Sequence, residues 1–285
     1  MSTIDPSPTT EPGTDPRASG SDGTDGVEIR MLHHAPEMRR IVQIFQQVWG
    51  SPNELVPIEM LMAISHAGGY VAGAFDITDV GRAETDETGG ADTEVDSHER
   101  DGRLLGASVG LLARHQGRPA LHSHITGLLA GARSSGLGRA MKLHQQEWAR
   151  RHDIEWIVWT FDPLVRRNAW FNIAVLGAEV HEYLPSFYGP MTDAMNAGDD
   201  TDRLLVAWRV DTDPDAPLRD GSASDADTGR RLEIPTPDDI LTIRRTDPTE
   251  AARWRTDVRE QLTAQLEAGR RVTGFTRDGS YVLEP

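Results

Sequence analysis

Residues 155–161, EWIVWTF, restrict the fold of this chain more than any other segment, because they are almost continuously apolar. A strand with one face in water alternates apolar and polar residues, whereas a strand that is covered on both faces does not. The segment therefore predicts a strand inside a layered domain.

Strand and helix patterns alternate on both sides of this segment. Strand patterns cover 27–32, 68–77, 103–113, 120–131, 155–161 and 202–210, and helical spacing of apolar residues covers 38–49, 57–62, 137–148 and 165–178. The order β-α-α-β-β-β-α-β-α-β predicts a mixed α/β domain. We expect Gly177 to end the last of these helices as its C-terminal cap.

Acidic segments divide the chain around this domain. Residues 1–26, 81–102 and 211–230 carry net charges of −4, −6 and −4, which leaves only −2 of the total of −16 for the rest. These segments are rich in Gly, Ser, Thr, Asp and Pro, so we expect a disordered tail, an insert loop and a linker. The main domain is then 27–210, followed by a small C-terminal extension at 231–285.

Residue types that the chain lacks exclude several kinds of chemistry. Without cysteine there is no disulfide, thiolate catalysis or Cys-ligated zinc, and His33-His34 lacks the carboxylate-histidine spacing of a metal site. No basic stripe favours nucleic acid. No apolar run is long enough for a bilayer, and the N-terminus lacks the pattern of a signal peptide. We expect a cytoplasmic protein without nucleic-acid or membrane partners. Lys142 is the only lysine, which we attribute to compositional bias.

The extension carries two signals for helix starts, TPDD at 236–239 and DPTE at 247–250, both of capping-box form. It holds no recognisable catalytic constellation. We expect it to pack against the main domain or to form a homodimer.

A glycine turn, Arg133-x-x-Gly136-x-Gly138, separates the strand pattern of 120–131 from the helix pattern that follows. Backbone N–H groups and the helix dipole converge there, and glycines let an anion approach the backbone. The Rossmann fingerprint fits poorly, and the Gly-Lys-Ser/Thr of a P-loop does not occur. The turn therefore indicates a site for a pyrophosphate.

This turn, the strand at 155–161 and a helix with Asn168 and Leu176-Gly177-Ala178 resemble the GNAT superfamily of acyl-CoA-dependent N-acyltransferases. WTFDPLVRRNAWFNIAVLGA, YLPSFYG and GDDTDRLLVAWR resemble a branch of predicted GNAT enzymes with a C-terminal extension. The resemblance implies a mixed, mostly antiparallel sheet flanked by helices, with a small α+β extension. It also implies acetyl-CoA or another acyl-CoA as acyl donor and no metal.

The resemblance further implies which residues bind CoA. The pyrophosphate would lie on Arg133, Ser134, Ser135, Gly136, Leu137, Gly138 and Arg139. The strand end near Leu128 and Leu129 would pair with the pantetheine arm, and an N–H there would polarise the thioester carbonyl. Asn168 would lie against the CoA arm, or it would instead be a helix N-cap.

The proton transfers leave alternatives open. The resemblance implies a tyrosine as general acid at the position where this chain has Ile173, beside Asn172. Tyr183 and Tyr188 are the nearest phenols; either could substitute, both could be packing residues, or the CoA thiol could leave without an acid. His124 on the strand before the turn is the candidate general base, with a structural histidine as the alternative.

For the acceptor, a carboxylate would prefer an arginine, and Arg203 and Arg166 are the candidates, with surface or CoA-phosphate contacts as the alternative. We expect transfer of an acetyl or other short acyl group, such as succinyl, to the amine of a small molecule, for example an amino acid. A protein N-acyltransferase and a non-catalytic acyl-CoA sensor are the alternatives.

Overall fold

The computed structural model describes residues 26–78, 102–133, 135–189, 199–221 and 231–285. The expectations for the acidic tail, the insert and much of the linker therefore fall on residues outside the described ones, as does Ser134.

The described part of the main domain is built on a seven-stranded sheet. Its strands are β1 (Val27–Met31), β2 (Tyr70–Asp76), β3 (Arg103–His115), β4 (Arg118–Leu128), β5 (Trp156–Phe161), β6 (Glu179–Leu184) and β7 (Arg203–Arg209). The spatial order is β1-β2-β3-β4-β5-β7-β6, and only β4 and β5 run parallel to each other. The prediction of a mixed, mostly antiparallel sheet is confirmed.

Helices cover both faces of this sheet. They are α1 (Ala35–Trp49), α2 (Ile58–His66), α3 (Leu137–Arg151) and α4, which runs from Arg166–Ala169 into a π-helical turn at Trp170–Val175. The first two pack on one face, around Val71 and Val109, and the other two on the opposite face, around Leu121 and Ile157. On β5, Ile157 and Trp159 face the second of these helix layers, whereas Trp156 and Val158 on the other side pack in a small cluster with apolar residues of the neighbouring strands.

One predicted end shifts for a local reason, and another lies where it was expected. The strand pattern of 120–131 ends earlier, at Leu128, because Ala130–Ala132 form a 3₁₀ turn. Gly177 follows the last helix with a φ of +69°, as its expected C-terminal cap requires.

The extension forms a second sheet and two helices. They are β8 (Leu232–Pro235), β9 (Arg271–Phe275), β10 (Ser280–Glu284), α5 (Ile240–Thr246) and α6 (Pro248–Glu267). Asp247 caps the second helix as predicted. The first box was assigned wrongly: Asp239 is the cap, because Thr236 is buried and donates its hydroxyl to the Gly279 carbonyl at 2.6 Å.

The extension packs on the main domain through one shared hydrophobic core, which includes Phe275 and Tyr281. The buried Tyr281 hydroxyl donates to the Pro163 carbonyl at 2.7 Å. This contact fixes the loop that connects β5 with α4.

Ion pairs reinforce the same junction. Arg244 contacts Asp162 at 2.7 Å and Asp199 at 3.0 Å, and all three side chains are nearly buried. Arg259 binds both oxygens of the buried Asp202, at 2.6 and 2.7 Å. The aspartates flank β5 and β7, so the extension holds the ends of these two strands.

We predict that Arg259→Met lowers the free energy of unfolding by about 3 kcal/mol, because it leaves the buried Asp202 carboxylate without its cation. The Tyr183 hydroxyl still donates to that carboxylate, so the low end of the usual range applies. Urea unfolding measures the change. The control Arg253→Met removes an exposed pair and should cost less than about 0.5 kcal/mol. Equal losses for the two variants would contradict the prediction.

Candidate functional site

A gap opens between β4 and β5. The two strands pair only at Ala120–Trp156, Leu121–Ile157 and His122–Val158. Beyond these pairs β4 continues along β3, and β5 continues along β7. We call the space between residues 123–128 and 159–161 the β4/β5 gap; its closed end lies at the last pair.

A β-bulge at His124 accompanies this parting. Val109 of β3 pairs with Ile125 and Gly110 pairs with Ser123, so His124 is the extra residue on β4. A bulge bends its strand and increases the local twist, which directs the rest of β4 away from β5. The bulge could not be predicted from the residues of this strand, because an inserted residue does not disturb a mixed polar and apolar pattern.

The bulge leaves backbone donors along the edge of the gap. The Leu129 N–H donates to the Leu105 carbonyl at 2.9 Å, so it points towards β3. Neighbouring residues of an antiparallel strand point their N–H groups to opposite sides, so those of Leu128 and Thr126 point towards the gap. The expectation for Leu129 is thus corrected: its donor is already used, and Thr126 joins Leu128 instead.

The glycine turn lies at the open end of the gap. Gly136 has a φ of +78°, a conformation that favours glycine, and α3 begins at the next residue. Arg139 and Ala140 donate to the Gly136 carbonyl at 3.0 and 3.1 Å. The N–H groups of Leu137 and Gly138 therefore lie at the helix N-terminus, where an anion is stabilised.

The side chains of the turn have different surroundings. The Leu137 side chain is fully buried, so only its backbone can contact a ligand. Ser135 donates to the Ala132 carbonyl at 3.0 Å. Arg133 is exposed and donates to the Leu128 carbonyl at 3.2 Å, while Arg139 donates to the Pro214 carbonyl at 2.6 Å. Both arginines are thus close in sequence to the helix N-terminus, and Arg139 also pairs with the exposed Asp215 at 3.4 Å.

A buried lysine lies at the closed end of the gap, on the side of α3. The Lys142 ammonium donates to the Ser123 hydroxyl at 2.9 Å and to the Gln145 amide oxygen at 3.2 Å, and it lies 3.9 Å from the centre of the Trp159 ring. Ser123 and Trp159 are the first residues of β4 and β5 beyond their last pair, His122–Val158. Composition had suggested that this lysine has no special role.

Burial lowers the pKa of Lys142 to about 7, because an ammonium loses its hydration there. Its polar contacts are neutral groups, and none of the ion pairs in the described part of the chain includes it. The charged form is therefore not compensated by a carboxylate within the described residues.

We predict that this lysine makes stability depend on pH. The folded-state pKa lies below the unfolded value, so between about pH 7 and pH 10 the unfolded chain binds the extra proton and stability rises with pH. Relative to Lys142→Met, the wild type should gain about 1.4 kcal/mol of unfolding free energy per pH unit in this window. Urea unfolding at several pH values measures the difference, and a constant difference would contradict the burial of a titrating amine.

Two histidines lie on the opposite side of β4. The rings of His122 and His124 are 6.1 Å apart, and His124 is the more exposed. Desolvation lowers the pKa of both imidazoles, and for His122 the neighbouring His124 and Lys142 lower it further. Both rings are therefore neutral at neutral pH, the state in which an imidazole accepts a proton.

Residues from β5, β7 and the segment after β6 extend this side. Thr160 lies two residues beyond Val158 on the same side of β5, and its hydroxyl is 3.4 Å from that of Tyr188. The Arg203 guanidinium lies 5.3 Å above the Tyr188 ring. Phe187 and Tyr188 are both exposed. Tyr188 and Arg203, two of the predicted residues, thus lie together.

Two other predicted residues have different roles. Tyr183 is on β6, which β7 separates from β5, and its buried hydroxyl donates to Asp202 at 2.7 Å. Burial and this carboxylate raise its pKa well above the usual range, so it cannot supply a proton at neutral pH. Arg166 binds Thr236 and Asp238 of the extension. We correct both expectations, because these side chains serve the junction with the extension.

Helix α4 lies against the β5 side of the gap. Asn168 is its third residue and Val165 is the N-cap, so the alternative that Asn168 caps the helix is wrong. Ile173 is buried in the core, and the Asn172 amide oxygen accepts from the Trp159 indole at 3.2 Å. A π-helical turn such as the one at Trp170–Val175 is frequent at functional sites.

The described residues offer neither a metal centre nor a membrane-spanning helix. No group of three or more His, Asp or Glu side chains is arranged to hold a metal ion there. No helix in the same part of the chain is long and apolar enough to cross a membrane.

Comparisons with known proteins give matches only among solved structures; no family model and no curated protein matches. A ribosomal-protein-alanine N-acetyltransferase from Brucella melitensis is 16% identical, with 64% of this chain and 98% of that chain covered and a TM-score of 0.44. NAA60 of Arabidopsis thaliana, in complex with a bisubstrate analogue, is 13% identical, with 64% and 98% covered and a TM-score of 0.46. Ard1 from Thermoplasma volcanium is 12% identical, with 65% and 97% covered and a TM-score of 0.43. At these sequence identities and TM-scores, the comparisons do not support an activity for this chain.

Proposed function

We propose that this protein is an acyl-CoA-dependent N-acyltransferase that acylates the amine of a small molecule. The observation that carries the proposal is the β4/β5 gap, which is edged by backbone donors and ends at the glycine turn. An extended arm with amide groups can add to a free strand edge as another strand would. A pyrophosphate fits the N-terminus of α3 at the end of that path. Acyl-CoA combines these two parts in this order.

Each backbone donor along β4 binds a different part of acyl-CoA. The pyrophosphate lies at the turn between Arg133 and Arg139, so the arm enters the gap from its open end and passes Leu128 first. The N–H of Leu128 then meets an amide of the pantetheine, and the N–H of Thr126, deeper in the gap, polarises the thioester carbonyl. Asn168 lines the arm from the side of α4.

The chemistry is a direct attack. The amine nitrogen bonds to the thioester carbonyl carbon, the C–S bond breaks, and the sulfur leaves as the CoA thiolate, which takes up a proton. A donor at the carbonyl oxygen stabilises the oxyanion that forms on the way. His124, at the bulge and neutral at neutral pH, accepts the proton that the amine loses.

The side of the sheet that carries the histidines receives the acceptor. Arg203 stacks on Tyr188 there, and Phe187 and Tyr188 expose apolar surface next to it. An arginine beside aromatic rings suits a carboxylate with an apolar substituent, as in an amino acid. Tyr188, whose hydroxyl lies 3.4 Å from that of Thr160 on β5, is the candidate general acid.

We predict that Gly136→Asp weakens acetyl-CoA binding at least about 100-fold, because it places a carboxylate where the pyrophosphate lies. Gly136→Asn is the matched control: it has the same size and tolerates the same positive φ, but carries no charge. It should retain most of the affinity. Calorimetric titration of both variants, with circular dichroism to show that they are folded, makes the comparison.

Equal affinities for the two Gly136 variants would remove the pyrophosphate from this turn. If the wild type binds neither CoA nor acetyl-CoA, the proposed function itself is wrong.

We predict that His124→Gln lowers kcat about 100-fold and changes the affinity for acyl-CoA little, because a general base acts on the amine and not on the donor. In the wild type, activity should fall only at pH values below the ordinary titration range of an imidazole, because desolvation lowers the pKa of His124 and protonation then removes the base. His122→Gln is the matched control, two residues away on the same side, and should keep its rate. A greater loss for His122→Gln would move the base to that residue.

A screen of acceptors separates the alternatives. Thiol release with free amino acids and polyamines supports a small-molecule acceptor, and release only with peptides indicates a protein N-acyltransferase. Binding of acyl-CoA without release on any amine indicates a sensor.

A further inference from the structure

A polar seam is buried under α3 beside the gap. Ser108, Ser123, Lys142 and Gln145 are all less than a tenth exposed, and they lie beside buried apolar residues of α3 such as Met141. The Gln145 amide nitrogen lies 3.4 Å from the Ser108 hydroxyl, which lies 2.8 Å from the hydroxyl of Thr126. The seam thus connects the ammonium at the closed end of the gap with the residue whose N–H faces the thioester.

Such a seam opposes folding unless something else favours it. A buried ammonium that lacks an anionic partner is costly, and an apolar side chain of similar length would stabilise the core. The contacts of Lys142 are two neutral oxygens and the face of an indole ring, which orient the charge without neutralising it. An anion at the closed end of the gap would offset this cost.

The direction of the acyl-CoA arm indicates where that anion comes from. With the pyrophosphate at the open end and the thioester at Thr126, the acyl group continues towards Ser123 and Lys142. A plain acetyl group would place a methyl against a polar seam. A short acyl chain that ends in a carboxylate would place its charge at the ammonium.

We propose that Lys142 is an acyl-specificity residue, and that the donor is the CoA thioester of a short dicarboxylic acid whose free carboxylate binds the Lys142 ammonium at the closed end of the gap. Hydroxyl groups of Ser123 and Thr126 are placed to complete the subsite. This inference rests on the proposed function and names the class of its acyl donor.

The test compares two donors of equal chain length, succinyl-CoA and butyryl-CoA, which differ in the terminal carboxylate. Calorimetry on the full-length wild type should give at least about tenfold tighter binding of succinyl-CoA, as expected for a charge-assisted hydrogen bond in a buried site. Lys142→Met should lose this preference and bind butyryl-CoA at least as tightly as the wild type does. Free CoA, which lacks the acyl group, should bind both proteins equally.

Three results would overturn the inference: equal affinity of the wild type for both donors, a preference for butyryl-CoA, or a preference for succinyl-CoA that survives in Lys142→Met. The comparison of donors on the wild type holds even if the variant does not fold. Binding of free CoA separates the two levels, because its absence refutes the proposed function, whereas its presence with equal donor affinities refutes only the acyl subsite.

Discussion

Backbone pairing between β4 and β5 stops after three residue pairs, and the candidate site depends on this limit. The bulge at His124 turns β4 away, so its inner residues keep their pairing with β3 on one side while their other edge stays open. The N–H groups on that open edge face the gap and not a neighbouring strand. The same bend directs the end of β4 to the turn at Gly136, so one irregularity places both the open edge and the helix N-terminus beside it.

The extension stabilises the wall opposite to β4. Three arginines of the extension pair with aspartates next to β5 and β7, and Tyr281 fixes the loop before α4. Because β5 pairs with β4 over only half of its length, it depends on β7 and on this junction for support on its other side. Tyr183 and Arg166 belong to that support. Their residue types suit catalysis, but their partners show that they hold the junction together.

The sequence predicted the layered fold well, because periodicity and caps are local signals: the apolar 155–161, the turn at Gly136 and the cap at Gly177 all occupy their expected places. It could not predict the bulge at His124, the use of the Leu129 N–H or the partners of Tyr183. These depend on register and on contacts between residues far apart in the chain. Lys142 was missed for the same reason, since only the packing of α3 over the gap reveals that it is buried.

Protection of individual amides on binding CoA tests the central claim most directly. Amide hydrogen exchange of isotope-labelled protein, followed by NMR without and with CoA, compares neighbouring residues of one strand. The N–H of Leu128 and of Thr126 should exchange more slowly when CoA is bound, because each gains an acceptor in the gap. The N–H of Leu129 should not change, since it already donates to Leu105. Binding of CoA that leaves Leu128 and Thr126 unprotected, or that protects Leu129 equally, would contradict the placement of the arm in the β4/β5 gap.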